Sequence, residues 1–156
     1  IDHRLINLVQ AVRIPQLDFL FEIISFSVIL AIVLGTAYLW KKNKLKSKIL
    51  VIITSLTYVL VTAIKLIIGR WRPDMSEALS FPSLHTTIAF ILAFYYPNKK
   101  CRCLLIIWAC LVGFSRVWLN QHYFSDVLAG AMIGTAIAYA LKIKYLKNKI
   151  NKIASQ

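Results

Sequence analysis

The 156-residue sequence predicts an all-α fold, an integral membrane helical bundle of about five transmembrane helices preceded by an amphipathic interfacial helix. Three observations predict it. Hydrophobic residues make up 59% of the chain, and mean hydropathy is +0.68. The apolar residues fall into runs too long for strands, and open sheet edges are not tolerated in lipid. Finally, 19 Lys+Arg face only 6 Asp+Glu, a net charge of +13, yet the cations are segregated along the chain. A basic soluble nucleic-acid module would not spend most of its length on apolar residues, so no nucleic-acid partner is expected. Disorder is excluded on the same ground.

The whole of 1–156 reads as one domain. Residues 1–16 place Leu5, Leu8, Val9 and Val12 at helical spacing, with Asp2, Arg4, Asn7 and Arg13 mostly elsewhere. This suits a helix lying in the membrane interface, or the stub of a sixth span. It carries no cleavable-signal pattern. The apolar runs follow at 19–40, 49–68, 84–96, 104–118 and 123–141, punctuated by Gly69, Pro73, Pro82 and Pro97. The third run, 84–96, rises only about 20 Å against a hydrocarbon core of about 30 Å. Its outward end should therefore sit below the outer interface.

Thirteen cations lie in the segments 41–48, 97–103 and 142–156, with no acid among them. The positive-inside rule puts that face, with the basic C-terminal tail, in the cytoplasm. The remaining six cations and all six acids fall on the outward face. Cys101, Cys103 and Cys110 suggest neither a disulfide framework nor zinc and read as apolar fillers. Trp40, Trp71, Trp118, Tyr95 and Tyr96 suit aromatic belts. Arg13 and Arg70 read as interface anchors, and His3 as a surface residue. Asp18 and Glu22 read as structural partners for Arg4, Arg13 or Arg70.

The outward helix ends break the rules of lipid-facing sequence. Lys65, Arg72, Arg116 and Asp126 lie in or beside apolar runs, where a charge costs up to roughly 3 kcal/mol. Asp126 cannot neutralise three cations, so an external anion is implied, and phosphate suits the guanidinium forks. His122 and Asp126 are four residues apart and share a helix face. There the carboxylate can fix the imidazole tautomer and leave the other nitrogen as base or nucleophile. The helix start at Ser83–His85 offers backbone N–H groups to an anion, and Ser83 adds a hydroxyl. A local salt bridge and packing histidines are the blander readings of the same residues.

Three segments carry a resemblance. Lys65-Leu-Ile-Ile-Gly-Arg-Trp-Arg72-Pro73 resembles Lys-x6-Arg-Pro. Pro82-Ser83-Leu84-His85 resembles Pro-Ser-Gly-His. Ser115-Arg116 through His122 to Asp126 resembles Ser-Arg-x5-His-x3-Asp. In this order they resemble the signatures of the type 2 phosphatidic acid phosphatase superfamily, across residues 65–126. The resemblance implies a membrane lipid phosphatase at the outer leaflet of a prokaryotic cytoplasmic membrane. Its substrate would be a phosphorylated or pyrophosphorylated lipid: lipid A 1-phosphate, undecaprenyl pyrophosphate, phosphatidylglycerol phosphate or phosphatidic acid. His122 would be the nucleophile, Asp126 its orienting carboxylate and His85 the acid and then base. Lys65, Arg72, Arg116 and Ser83 would hold the phosphate, with no metal or other cofactor. Leu84 departs from the usual glycine. The short stretch 74–81 leaves little chain for a lid. A phosphotransferase with the same intermediate and a non-catalytic lipid binder or transporter remain as alternatives.

Overall fold

The chain is described here by a computed structural model, which describes residues 1–95 and 99–154, with the side chains of 99–101 and 144–154 excepted. Six α-helices run in order: α1 (Asp2–Ala11), α2 (Asp18–Lys42), α3 (Lys44–Ile68), α4 (Leu84–Tyr95), α5 (Lys99–Trp118) and α6 (Phe124–Ala154), with a 3-10 turn at Pro15–Leu17. The fold is all-helical, as the apolar runs predict. Three segments are long and apolar enough to cross a membrane unaided: Pro15–Lys42, Lys44–Ile68 and Phe124–Ile143. α4 is apolar but short, so among the described residues three helices, rather than the predicted five, have the length and apolarity of a full span. Tyr96, Cys101, Lys99, Lys100 and the tail lysines beyond 143, all assigned from sequence, lie outside the described side chains.

Local chemistry explains the boundaries. α2 and α3 form an antiparallel hairpin around Asn43, whose side chain accepts the Lys46 N–H at 3.0 Å and so caps α3. α3 stops at Gly69, which adopts φ 58°, a left-handed conformation without penalty for glycine. The loop from Gly69 to Ser83 folds on itself: Ser80 N–H reaches Arg70 O at 2.9 Å, and Arg72 N–H reaches Glu77 O at 2.9 Å.

α4 is the centre of the bundle. Thr86, Thr87, Ile88, Ala89, Ile91, Leu92 and Ala93 are all buried, and its core is shared with α2, α3 and α5 through Val28, Leu50, Ala109 and Val112. α4 meets α6 backbone to backbone. A Cβ on Gly130 would lie 2.6 Å from the Ser83 carbonyl, and one on Gly134 would collide with the Thr87 carbonyl. Only glycine permits this approach, which fixes the start of α4 beside the start of α6.

The apolar face of α1 is turned away from the protein, as a helix lying in the membrane interface requires. Leu5, Leu8 and Val12 are exposed, while Ile6 is buried and packs with Val9 against Val117, Tyr123 and Val127. The face carrying Asp2, Ile6, Gln10 and Arg13 therefore turns to the protein, and the Leu5/Leu8/Val12 face turns away. Polar contacts decide the rotation: Gln10 donates to the carbonyls of Val117 and Trp118 at 3.3 and 3.1 Å, and Asp2 accepts from Arg70 at 2.8 Å. Arg13 is not an interface anchor but pairs with Asp18 at 2.7 Å. Trp118 is not a belt residue. It is 7% exposed, packs against Phe21 at 4.7 Å, and donates its indole N–H to Asp18 at 3.0 Å. Trp40 and Trp71 are exposed, as belt residues should be. His3 stands edge-on to Tyr123 at 5.1 Å.

Candidate active site

Asp126 organises the site. It opens the first turn of α6, is fully buried, and links all three motif segments. Its backbone carbonyl accepts the Ser83 N–H at 3.0 Å. One carboxylate oxygen, Oδ1, accepts from Arg70 Nη1 at 2.7 Å. The other, Oδ2, accepts from the Tyr123 N–H at 2.8 Å and from the Ser80 hydroxyl, and faces His122 Nδ1 at 3.6 Å. A buried carboxylate is tolerated only when its lone pairs are satisfied and its charge compensated, and both conditions hold here.

The loop between α5 and α6 presents His122. Its N–H and that of Gln121 both close on the Arg116 carbonyl, at 3.2 and 3.1 Å. Asn120 takes φ 59° to make the reversal. His122 is 2% exposed, and its Nδ1 has no hydrogen bond. At 3.6 Å the His122–Asp126 pair is in ion-pair contact but beyond hydrogen-bond distance. With Nδ1 turned to Asp126, Nε2 is the free nitrogen. Burial pushes the His122 imidazole down to about 4, with Asp126 opposing the shift and the Arg116 and Lys65 charges adding to it. The ring is therefore neutral near pH 7.

Lys65, Arg72 and Arg116 lie near one another, and each has partners that its motif does not name. Lys65, Arg72, Arg116, His122 and His85 lie within electrostatic reach of one another. Arg116 is 6% exposed and is held by Ser25 of α2 at 2.6 Å and by Gln121; its Nε has no partner. Lys65 donates to the carbonyls of Leu79 and Ser80. Arg72 pairs with Glu77 at 2.9 Å, and its Nε is also buried without a partner. Among the described residues no carboxylate lies within ion-pair distance of Lys65 or Arg116. Asp126 itself is taken by Arg70, so Arg70 is no interface anchor. It bridges Asp126 and Asp2 and stacks its guanidinium 4.1 Å from the Tyr123 ring.

His85 stands in the first turn of α4, half-buried and edge-on to Phe26 at 6.4 Å. Ser83 is fully buried, and its Oγ accepts from Thr86 at 3.0 Å, which leaves its own proton free to donate. Its N–H, expected to face an anion, is spent on Asp126. The N–H groups of Leu84 and His85, in the first turn of α4, have no partner within the helix. Asp2, Ser25, Arg70, Ser80 and Gln121 were missed by motif reasoning. Arg70 was signalled only by its place between Lys65 and Arg72; for Asp2 and Ser25, far away in sequence, there was no signal. No group of three or more His, Cys, Asp and Glu among the described residues is placed to hold a metal ion.

A membrane helical bundle with a buried His–Asp pair ringed by three cations defines a class of protein built around phosphate. Comparison with known families makes this specific: residues 46–150 match the PAP2 superfamily, and the chain belongs to it. It is similar to undecaprenyl-diphosphatase BcrC of Bacillus subtilis, 39% identical over 69 residues, covering 43% of this chain and 35% of that protein. It is also similar to the bacitracin transport permease protein BcrC of Bacillus licheniformis, 30% identical over 122 residues, covering 67% of this chain and 60% of that protein. The matches thus span a third to three-fifths of those relatives' length. The crystal structure of Aquifex aeolicus LpxE superposes with a TM-score of 0.78 at 25% identity, covering 89% of this chain and 93% of that one.

Proposed function

We propose that the protein is a membrane lipid phosphatase that removes a phosphate, or the terminal phosphate of a diphosphate, through a phosphohistidine at His122. The observation that carries this reading is a neutral, buried His122 close to Lys65 and Arg116, two buried cations with no carboxylate within ion-pair distance among the described residues, and to Arg72, whose Nε is buried without a partner. His122 Nε2 attacks phosphorus, the P–N bond forms, and the bond to the lipid oxygen breaks. His85 gives that oxygen its proton, then takes one from the water that attacks the phosphohistidine and releases inorganic phosphate. Lys65, Arg72 and Arg116 balance the charge on the equatorial oxygens, with Ser83 and the first N–H groups of α4 donating hydrogen bonds. Protein cations supply the stabilisation that a metal ion gives elsewhere.

The lipid tail would remain in the bilayer. A groove of about 370 Å³, lined by Ile32, Thr54, Ser55, Tyr58, Val59 and Ile88, runs between α2, α3 and α4. Ile88 is one turn inward from His85, so the groove offers an apolar path beneath the phosphate. The positive-inside distribution of lysines supports a site on the periplasmic or external face. Among substrates, undecaprenyl diphosphate leads, on the name of the 39% identical relative. The test is phosphate release by the purified protein from undecaprenyl diphosphate, phosphatidylglycerol phosphate, phosphatidic acid and lipid A 1-phosphate, with chelator present. Release that His122→Ala abolishes supports the reading. No release from any lipid, or full activity in His122→Ala, overturns it.

A further inference from the structure

α1 is joined to the catalytic loop at both ends, and the joints are polar. At its start, Asp2 accepts the Ser125 N–H at 3.2 Å and the Ser125 hydroxyl, so it caps α6 where the helix dipole is positive. At its end, Gln10 donates to the last carbonyls of α5, where acceptors are orphaned. Between these points Ile6 packs on Val117 and Tyr123. The segment that carries His122 is therefore spanned by one brace. Arg70 completes it, donating from Nη1 to Asp126 and from Nη2 to Asp2.

We infer that Arg70 and Asp2 are positioning residues for the catalytic histidine, fixing the Asp126 carboxylate and setting how much of its charge His122 feels. This rests on the phosphohistidine reading for its kinetic consequence, though not for its electrostatic one. The geometry is specific. Asp126 Oδ1 is engaged by Arg70, which leaves Oδ2 as the oxygen turned to His122. Arg70 is shared between two carboxylates, so each dilutes its effect on the other. Hydrogen bonds from Ser125 and Arg70 outweigh burial and hold the Asp2 carboxyl below the usual carboxylate range, so Asp2 is charged whenever the enzyme works.

The charged groups facing the pair come from every neighbouring element except α2, which offers Ser25. They are Asp2 of α1, Lys65 of α3, Arg70 and Arg72 of the following loop, His85 of α4 and Arg116 of α5. Removing a cation from Asp126 makes His122 easier to protonate. Removing Asp2 frees Arg70 to act on Asp126 alone and makes His122 harder to protonate. A brace that served only stability would not lower kcat while leaving KM unchanged, nor be rescued by Arg70→Lys.

The experiment is the titration of His122 by NMR in phosphatidylcholine nanodiscs, its signal assigned by loss in His122→Ala. The midpoint should rise by on the order of one pH unit in Arg70→Gln and fall in Asp2→Asn, with Arg70→Lys closer to wild type. On the lipid that wild type hydrolyses fastest, Arg70→Gln should lower kcat about tenfold or more and leave KM within about twofold, since the positioning acts on the reacting nitrogen. Should Arg70→Gln fail to fold, Asp2→Asn and Arg70→Lys still read the sign and the rescue. Midpoints unmoved, or moved in one direction by both variants, overturn the inference. The titration needs no turnover, so it stands apart from the phosphate-release test: an inactive wild type overturns the phosphatase, and an active one with unmoved midpoints overturns the positioning role.

Discussion

Replacing Gly130 with alanine probes the contact on which the site's geometry depends. The added Cβ would lie 2.6 Å from the Ser83 carbonyl oxygen, 3.1 Å from Thr87 Oγ1 and 3.3 Å from Thr86 Cβ. The nearest of these is backbone and cannot rotate away. To reach an ordinary 3.4 Å contact, α4 and α6 must separate by about 0.8 Å at this level. Ser83 and His85 ride on one helix, and Asp126 on the other. The separation therefore strains the Ser83 N–H to Asp126 bond and widens the gap between His85 and His122. Overpacking of this kind costs about 1–3 kcal/mol, and displacement of a reacting group by about 1 Å costs on the order of a hundredfold in rate. Gly130→Ala should thus lose about 10- to 100-fold in kcat, with a Tm lower by several degrees. Leu128→Ala, at a half-exposed lipid-facing position of the same helix, should keep wild-type kcat. The assay is phosphate release in detergent with a parallel thermal melt. Wild-type kcat and Tm in Gly130→Ala would refute the argument that this approach sets the site.

Four further outcomes are expected. Because burial holds His122 near 4 against about 6.5 when unfolded, kcat/KM should stay level from pH 7 to about 5 and fall only near 4, as a pH–rate profile will show. The same shift means that stability is fully present above about pH 6.5 and is lost as pH falls through that window toward 4, since the unfolded chain takes up the proton first; chemical denaturation across the range reads it. Ser25→Ala removes a 2.6 Å bond to Arg116, so kcat/KM should drop about tenfold, equivalent to the roughly 1.5 kcal/mol of a charged hydrogen bond. Trp118→Phe deletes the indole N–H to Asp18, and should cost about 1 kcal/mol of stability with unchanged kcat.

Much of this molecule is legible in one dimension. Apolar runs give the helical bundle, because lipid leaves a chain few choices. Lys65, Arg72, His85, Arg116, His122 and Asp126 are legible as a cluster because ionisable groups in apolar runs demand partners. What the sequence hid is who partners whom. Asp126 looked like the counter-ion of the phosphate-binding cations, yet Arg70 holds it, because the turn at Gly69 folds Arg70 back over Tyr123. Asp2 carries no local signal at all. Its role exists only once α1 docks, and α1 docks by its Asp2/Ile6/Gln10 side while Leu5, Leu8 and Val12 stay exposed. Hydrogen bonds to the ends of α5 and α6 outweigh exposure of Leu5 and Leu8 to lipid, which costs little. The Ser83 N–H shows the same limit: a helix start suggests free donors, but tertiary contact decided which stay free.

The most direct test of the account is to trap the covalent intermediate. Wild type is mixed with a lipid carrying a radiolabelled terminal phosphate, quenched within one turnover into base, where phosphohistidine survives, and mapped by peptide. The account predicts label on the peptide containing His122 and its absence in His122→Ala. Turnover without labelled protein, or label on any residue other than His122, contradicts it.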